Sequence, residues 1–131
     1  MTSALRITAL ALGLGAVLSG SPAFAQGKEP AMTGKTAMGP VLTDAKGMTL
    51  YVFDKDAGGK SACNGQCATN WPPLMADASA KPMGKYTIVT RDDGTKQWAY
   101  GGKPLYTWAK DTKAGDTTGD GVNNVWHVAK P

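Results

Sequence analysis

Two cysteines and one histidine carry the strongest intrinsic chemistry in this chain of 131 residues. Cys63 and Cys67 have the spacing C-x3-C, and the sole histidine, His127, lies far from them in the sequence. In an exported protein such a pair most simply forms one disulfide, which would fix the shape of its loop. The alternative is a copper site, because two thiolates and a histidine suit a soft metal.

The copper alternative is the less favoured of the two. Assembly proteins that deliver copper to respiratory oxidases resemble this chain in combining C-x3-C with a distant histidine. They have a proline after the second cysteine, however, where this chain has Ala68. The sequence therefore predicts no cofactor and no metal, and it keeps copper bound by Cys63, Cys67 and His127 as the alternative.

Patterns typical of an enzyme are missing from the sequence. One histidine supplies only one general base of that type, and no Ser or Cys lies in a G-x-S-x-G elbow. No glycine-rich phosphate loop follows a strand and opens a helix. We therefore expect a non-catalytic protein.

Composition favours a small β protein. The chain has 17 Gly and 8 Pro, is 42% hydrophobic and only 18% charged. This is too apolar for a disordered chain and too rich in turn formers for a helical bundle. The net charge of +4 comes from dispersed lysines. Because nucleic-acid surfaces usually cluster Arg and Lys, no nucleic-acid partner is expected.

The N-terminus predicts export. Residues 1–25 have the features of a signal peptide: Arg6, a short apolar stretch over 10–18, and the small-x-small site that ends at Ala25. The apolar stretch is shorter than the ~18 residues that span a bilayer. No cysteine follows it, so neither a membrane span nor a lipid anchor is expected. We predict a periplasmic or secreted chain, cleaved near Ala25, with a flexible arm over 26–38.

The rest of the chain contains an internal repeat. Leu-Tyr-x-aromatic recurs at Tyr51 and Tyr106, which are 55 positions apart, and the same offset relates Asp56 to Asp111. Trp71 lies 20 positions after the first tyrosine, and its equivalent 20 positions after the second is Trp126. A constant offset indicates duplication. We predict one β domain over 39–131, with repeats at about 39–74 and 94–130 joined by 75–93.

Alternation assigns the motif residues to two faces. Tyr51 and Phe53 should share one face of a strand, and Leu50 and Val52 the other. The same rule applies to Leu105–Trp108, and further strands are predicted over 85–90 and 125–128. Arg91–Gly94 is predicted as a hairpin turn after the first of these strands, leading to Gln97–Tyr100. The fold class is all-β and mainly antiparallel, with two tandem repeats of about 40 residues packed as a small sandwich or a barrel-like domain. Asp56 and Asp111 follow their strands, where a carboxylate accepts backbone N–H bonds from the next loop.

These residues resemble a known family. Two stretches, Tyr51-x-Phe53-x-x-Asp56 and Tyr106-x-Trp108-x-x-Asp111, are similar to the Yx(F/W/Y)xxD motif of a bacterial family of secreted repeat proteins and lipoproteins. The resemblance extends to the cysteine pair and to both repeat tryptophans. Many members are lipoproteins, but this chain lacks the lipid-acceptor cysteine. The family has no established activity, so the resemblance implies no catalytic residues.

The sequence thus predicts an exported, non-catalytic β-repeat module of the bacterial cell envelope. Its role would be structural or the binding of an envelope protein or ligand. The motif aromatics should be mostly buried, because they would form the common core while the loops supply the variable surface. The alternative is a periplasmic copper-binding or redox protein.

Overall fold

The computed structural model describes residues 29–131. The signal peptide predicted for 1–25 lies outside the described residues. Within that range the chain forms short strands and two helical turns. In chain order they are β1 Met32–Thr36, β2 Gly39–Thr43, β3 Tyr51–Phe53, helix α1 Gln66–Asn70, β4 Met75–Ala76, β5 Tyr86–Thr90, β6 Lys96–Tyr100, β7 Lys103–Pro104, the 3₁₀ helix Val122–Asn124 and β8 Trp126–Val128.

Every strand pair is antiparallel. β1 pairs with β2, β3 pairs with β8, and β6 lies between β4 and β5 while also pairing with β7. The turn at Arg91–Gly94 joins β5 to β6 as predicted, and Gly94 adopts a φ of 86° there, which glycine reaches without steric cost. The antiparallel all-β prediction is confirmed, and the described sheets are open rather than closed into a barrel.

The predicted flexible arm is wrong from Met32 onward. Met32–Thr36 forms β1, and its register with β2 runs from Met32 opposite Thr43 to Thr36 opposite Gly39. The polar and small residues of this segment hid the strand, because its side chains are largely exposed and carry no alternation of apolar residues. Residues 26–28 lie outside the described range.

The second motif differs from a regular strand. Tyr106 forms isolated bridges with Tyr51 and with Pro73 instead of a continuous ladder. Pro72 and Pro73 have no backbone N–H, so the partner segment cannot donate along a ladder. In the first motif, the equivalent partner segment has no proline and forms β8.

The two faces of the motif strands pack into two separate cores, as alternation predicted. Tyr51 and Tyr106 lie in the first, here called the aromatic cluster, against which Phe53 and Trp108 also pack. Leu50 and Leu105 lie in the second, here called the aliphatic cluster. Adjacent residues of each motif therefore lie in different cores, and both faces of the motif segments are covered.

Candidate functional site

The two motif tyrosines and aspartates pair across the repeats. The Tyr51 hydroxyl donates a hydrogen bond of 2.6 Å to Asp111 Oδ2, and the Tyr106 hydroxyl donates one of 2.7 Å to Asp56 Oδ2. The tyrosine backbones also exchange bonds, 2.7 Å from Tyr51 N to Tyr106 O and 3.0 Å from Tyr106 N to Tyr51 O. A pseudo-two-fold axis therefore passes between the two tyrosines. The tyrosine of each repeat bonds to the aspartate of the other repeat.

The second oxygen of each aspartate holds the loop that follows it. Asp56 Oδ1 accepts the Ala62 N–H at 2.6 Å. Asp111 Oδ1 accepts the Thr118 N–H at 3.0 Å and the Thr118 hydroxyl at 2.6 Å. The predicted loop-tying role of both aspartates is confirmed. The bond to the opposite tyrosine was not predicted, because sequence spacing gives no information about which repeat supplies it.

Four aromatic rings stack through the aromatic cluster. Trp71 and Trp126 lie at its centre, with ring centroids 3.7 Å apart and planes 2° from parallel. Phe53 stacks on Trp126 at 4.2 Å, and Trp108 stacks on Trp71 at 3.9 Å. Tyr51 meets Trp71 edge to face, as Tyr106 meets Trp126. This aromatic stack follows the same pseudo-two-fold relation, because Trp71 is equivalent to Trp126 and Phe53 to Trp108.

Burial agrees with a structural role for the motif. Tyr51 and Tyr106 are 0% exposed, and Trp71 and Trp126 are also buried. Phe53 and Trp108 at the two ends are half-buried. Phe53, Trp71 and Trp126 nevertheless contribute to the lining of an open depression of about 420 Å³, whereas the two motif tyrosines and Trp108 do not.

Gly119 packs closely against the stack, and its lack of a side chain leads to a first prediction. A Cβ at this position would lie 2.8 Å from the ring of Trp71 and 3.0 Å from that of Trp108. We expect Gly119→Ala to destabilise the fold by about 1–3 kcal/mol, the usual cost of overpacking. Urea unfolding followed by tryptophan fluorescence measures it. Gly121→Ala is not a suitable control, because its φ is positive; Ala109→Gly on the exposed surface is, and an equal loss in both variants would contradict the prediction.

The cysteines form the predicted disulfide. Cys63 and Cys67 have an S–S distance of 2.05 Å, and both pack in the aromatic cluster. His127 Nε2 instead lies 2.8 Å from Asp54 Oδ2 at the surface. On β8 it alternates with the buried Trp126 and Val128, so it points away from the disulfide. The copper set Cys63, Cys67 and His127 is therefore not brought together, and no group of three metal-ligating side chains forms elsewhere between residues 29 and 131.

A buried arginine connects the disulfide loop to the second repeat. Arg91 donates to Ser61 Oγ at 3.0 Å, Gln97 Oε1 at 2.8 Å and Cys63 O at 2.6 Å. Ser61 Oγ in turn lies 2.7 Å from the Tyr106 hydroxyl. The sequence predicts only a turn at Arg91, and this hydrogen-bond network was not predicted. The available signal was that Arg91 is the only arginine after residue 25, in a chain that otherwise uses lysine.

Burial shifts the ionisation of the paired groups. Desolvation, followed by the bond to Asp111, raises the pKa of Tyr51, and desolvation with Asp56 does the same for Tyr106. Desolvation also raises the pKa of Asp56 above its usual 3.8, although the Ala62 N–H, Tyr106 and Arg91 act to lower it. The phenols therefore remain protonated and act as donors to the carboxylates.

The raised pKa of Asp56 predicts an unusual pH dependence. A carboxyl whose pKa is higher in the folded state stabilises the fold fully below about pH 3.8, and this contribution is lost as pH rises through the raised pKa. We expect the free energy of unfolding of the wild type minus that of Asp56→Asn to fall as pH rises through this range. The pKa values of Asp93 and Asp116 are lowered, so these two residues make the free energy of unfolding rise with pH. Both residues are present in the wild type and in the variant, so their effect cancels in the difference. Urea unfolding across the pH range checks it, and a difference that rises with pH would refute it.

Comparison with known proteins identifies the family of this chain. A family described as "Secreted repeat of unknown function" matches residues 32–75 and 87–130. The chain belongs to this family. The two matched segments of this secreted-repeat protein are displaced by 55 positions, which confirms the duplication, and each begins earlier than the predicted 39 and 94. Each match thus takes in the first hairpin strand of its repeat, β1 or most of β5.

No curated protein and no solved structure matches the chain. In the described part of this secreted-repeat protein, no helix combines the length and apolar character needed to cross a membrane.

Proposed function

We propose that this protein is a non-catalytic module exported to the bacterial cell envelope, where it binds or supports an envelope component through its loops. The observation that carries the proposal is the reciprocal bonding of Tyr51 to Asp111 and of Tyr106 to Asp56. The most reactive motif groups are thereby used inside the fold. Binding would then belong to the surface that the repeats do not share.

The loops after the two motifs are that surface. The first contains the disulfide and helix α1, whereas the second contains the 3₁₀ helix and no cysteine. Exposed lysines occur in both, at Lys60 and Lys113. Loops held by a rigid frame are where proteins commonly place binding residues.

Export is tested by fractionation of the native bacterium. The chain is expected in the osmotic-shock or culture fluid, with Gln26 as its first residue by N-terminal sequencing. Recovery of the chain with Met1 intact in the cytoplasm would overturn this part of the proposal.

Binding is tested by photo-cross-linking in intact cells. A photoreactive residue is placed at Lys60, at Lys113 or, as a control, at the exposed Ser79 of the joining segment. A discrete adduct from a loop position that is missing from the Ser79 variant is expected. Equal adducts from all three positions, or none from either loop, would contradict a loop-borne binding role.

A further inference from the structure

The aromatic stack has a geometry that packing alone does not require. Aromatic pairs in proteins usually have ring centroids about 4.5–7 Å apart. The three contacts from Phe53 through Trp126 and Trp71 to Trp108 are 4.2, 3.7 and 3.9 Å, with planes 12°, 2° and 25° from parallel. Rings that overlap face to face share π-electron density, so a missing electron on one indole is stabilised by the next. The stack also connects two half-buried ends through a buried centre.

Each central indole touches a tyrosine that has its own proton acceptor. Tyr51 contacts Trp71 at a centroid distance of 5.4 Å, and Tyr106 contacts Trp126 at 5.1 Å. Their hydroxyls donate to carboxylate oxygens at 2.6 and 2.7 Å, the range of charge-assisted O–H···O⁻ bonds. A phenol that loses an electron becomes a strong acid, so its oxidation is favoured when a base already accepts its hydrogen bond.

The carboxylates have a structural use as well, because one oxygen of each holds the following loop while the other accepts the tyrosine hydroxyl. The single oxygen of an amide could not accept both bonds in this geometry. The same arrangement leaves a base at the hydroxyl of each motif tyrosine. A proton acceptor next to each tyrosine has a use if the tyrosine loses an electron and its proton together.

We propose that the aromatic stack is a one-electron relay, in which oxidation entering at the indole of Trp108 is passed through Trp71 and Trp126 to Tyr51 or Tyr106. A one-electron oxidant, such as an oxidised metal centre of another protein or a radical, takes one electron from an indole and is itself reduced by one. The indole radical cation then takes an electron from the tyrosine, whose proton moves to Asp111 or Asp56. The products are the restored indole, a neutral tyrosyl radical and a protonated carboxyl. A one-electron reductant and return of the proton restore the starting state.

This inference goes beyond the binding role and does not depend on it. The relay uses the buried frame, whereas the proposed binding uses the loops. The other core supplies an internal comparison, because there Tyr86 and Trp98 meet edge to face at 6.4 Å and do not stack. Electron transfer from tyrosine to an oxidised indole is therefore expected in the aromatic cluster and not in the aliphatic cluster.

Flash photolysis of the disulfide-bonded chain tests the relay. A ruthenium(III) polypyridyl complex, generated by a light flash with persulfate, serves as the one-electron oxidant, and transient absorption distinguishes indole from tyrosyl radicals. In the wild type we expect the indole radical to decay as the tyrosyl radical rises. In Tyr51→Phe/Tyr106→Phe most of the tyrosyl signal should be lost and the indole radical should live several-fold longer. In Tyr86→Phe and Trp98→Phe both signals should be retained.

The proton acceptor is tested by Asp56→Asn/Asp111→Asn, which keeps side-chain size but removes the base. A loss of tyrosyl yield is expected, and each single variant serves if the double variant fails to fold by circular dichroism. An unchanged tyrosyl yield in the asparagine variants would overturn the proton transfer. An indole lifetime that the phenylalanine variants do not alter, or a radical signal abolished by Trp98→Phe, would overturn the relay itself.

Discussion

Trp71→Ala is expected to lower the free energy of unfolding by about 3–5 kcal/mol, the usual cost of truncating a buried large aromatic. The indole contacts three other rings: it stacks on Trp126 and Trp108 and meets Tyr51 edge to face. Removing it leaves a cavity at the centre of the aromatic cluster. The neighbouring rings come from both repeats and are held by their own contacts, so we expect them not to fill this cavity. Because a domain of this size is stable by only about 5–15 kcal/mol, the loss is a large part of the total.

Position in the stack supplies the controls for this prediction. Trp126→Ala should cost a similar amount, because the pseudo-two-fold relation gives Trp126 equivalent contacts. Trp108→Ala should cost clearly less, since Trp108 is half-buried and has a stacking partner on one face only. Chemical unfolding followed by far-UV circular dichroism measures all three. Equal losses in the free energy of unfolding for Trp71→Ala and Trp108→Ala would contradict the central position of Trp71 in the core.

Local patterns were enough to predict the first motif strand and the two faces of both motifs, although the second motif forms only isolated bridges. Alternation assigned Tyr51 and Leu50 to opposite sides, and the structure places them in the aromatic and aliphatic clusters. The constant offset predicted the duplication without any three-dimensional information. These features depend on periodicity within a short stretch or on comparison of the chain with itself, and both are visible in one sequence.

Features that depend on contacts between repeats were not predictable. Nothing in the spacing of Tyr51 and Asp56 indicates that each bonds to the opposite repeat, because either repeat could supply the partner. β1 was missed for a different reason: its exposed polar side chains look like those of an arm, and only pairing with β2 makes it a strand. Arg91 was predicted only as a turn residue. Its network was missed because the guanidinium bonds to a loop that lies 28 positions away in the sequence.

Arg91 is the residue on which we expect the other large effect. Its guanidinium is buried and donates to four acceptors, among them Ser61, Cys63 O and Gln97. These bonds hold the disulfide loop against β6 and support the hydroxyl that bonds to Tyr106. The planar, five-donor guanidinium suits such a divergent set, which a lysine ammonium on its flexible stem does not.

Arg91→Leu is expected to destabilise the fold by about 3–5 kcal/mol, because several buried acceptors are left without a donor at about 1–3 kcal/mol each. The acceptors of Arg91 lose their donors, and Asp56 loses a positive charge that lowers its pKa. Arg91→Lys should lose less, because it keeps the charge but not the fork of donors. Combining Arg91→Leu with Asp56→Asn should cost less than the two separate losses together, since the charge that Arg91 compensates is then gone. Urea unfolding of the wild type, Arg91→Leu, Asp56→Asn and the double variant tests this coupling: strict additivity would show that Arg91 acts through packing rather than through its charge.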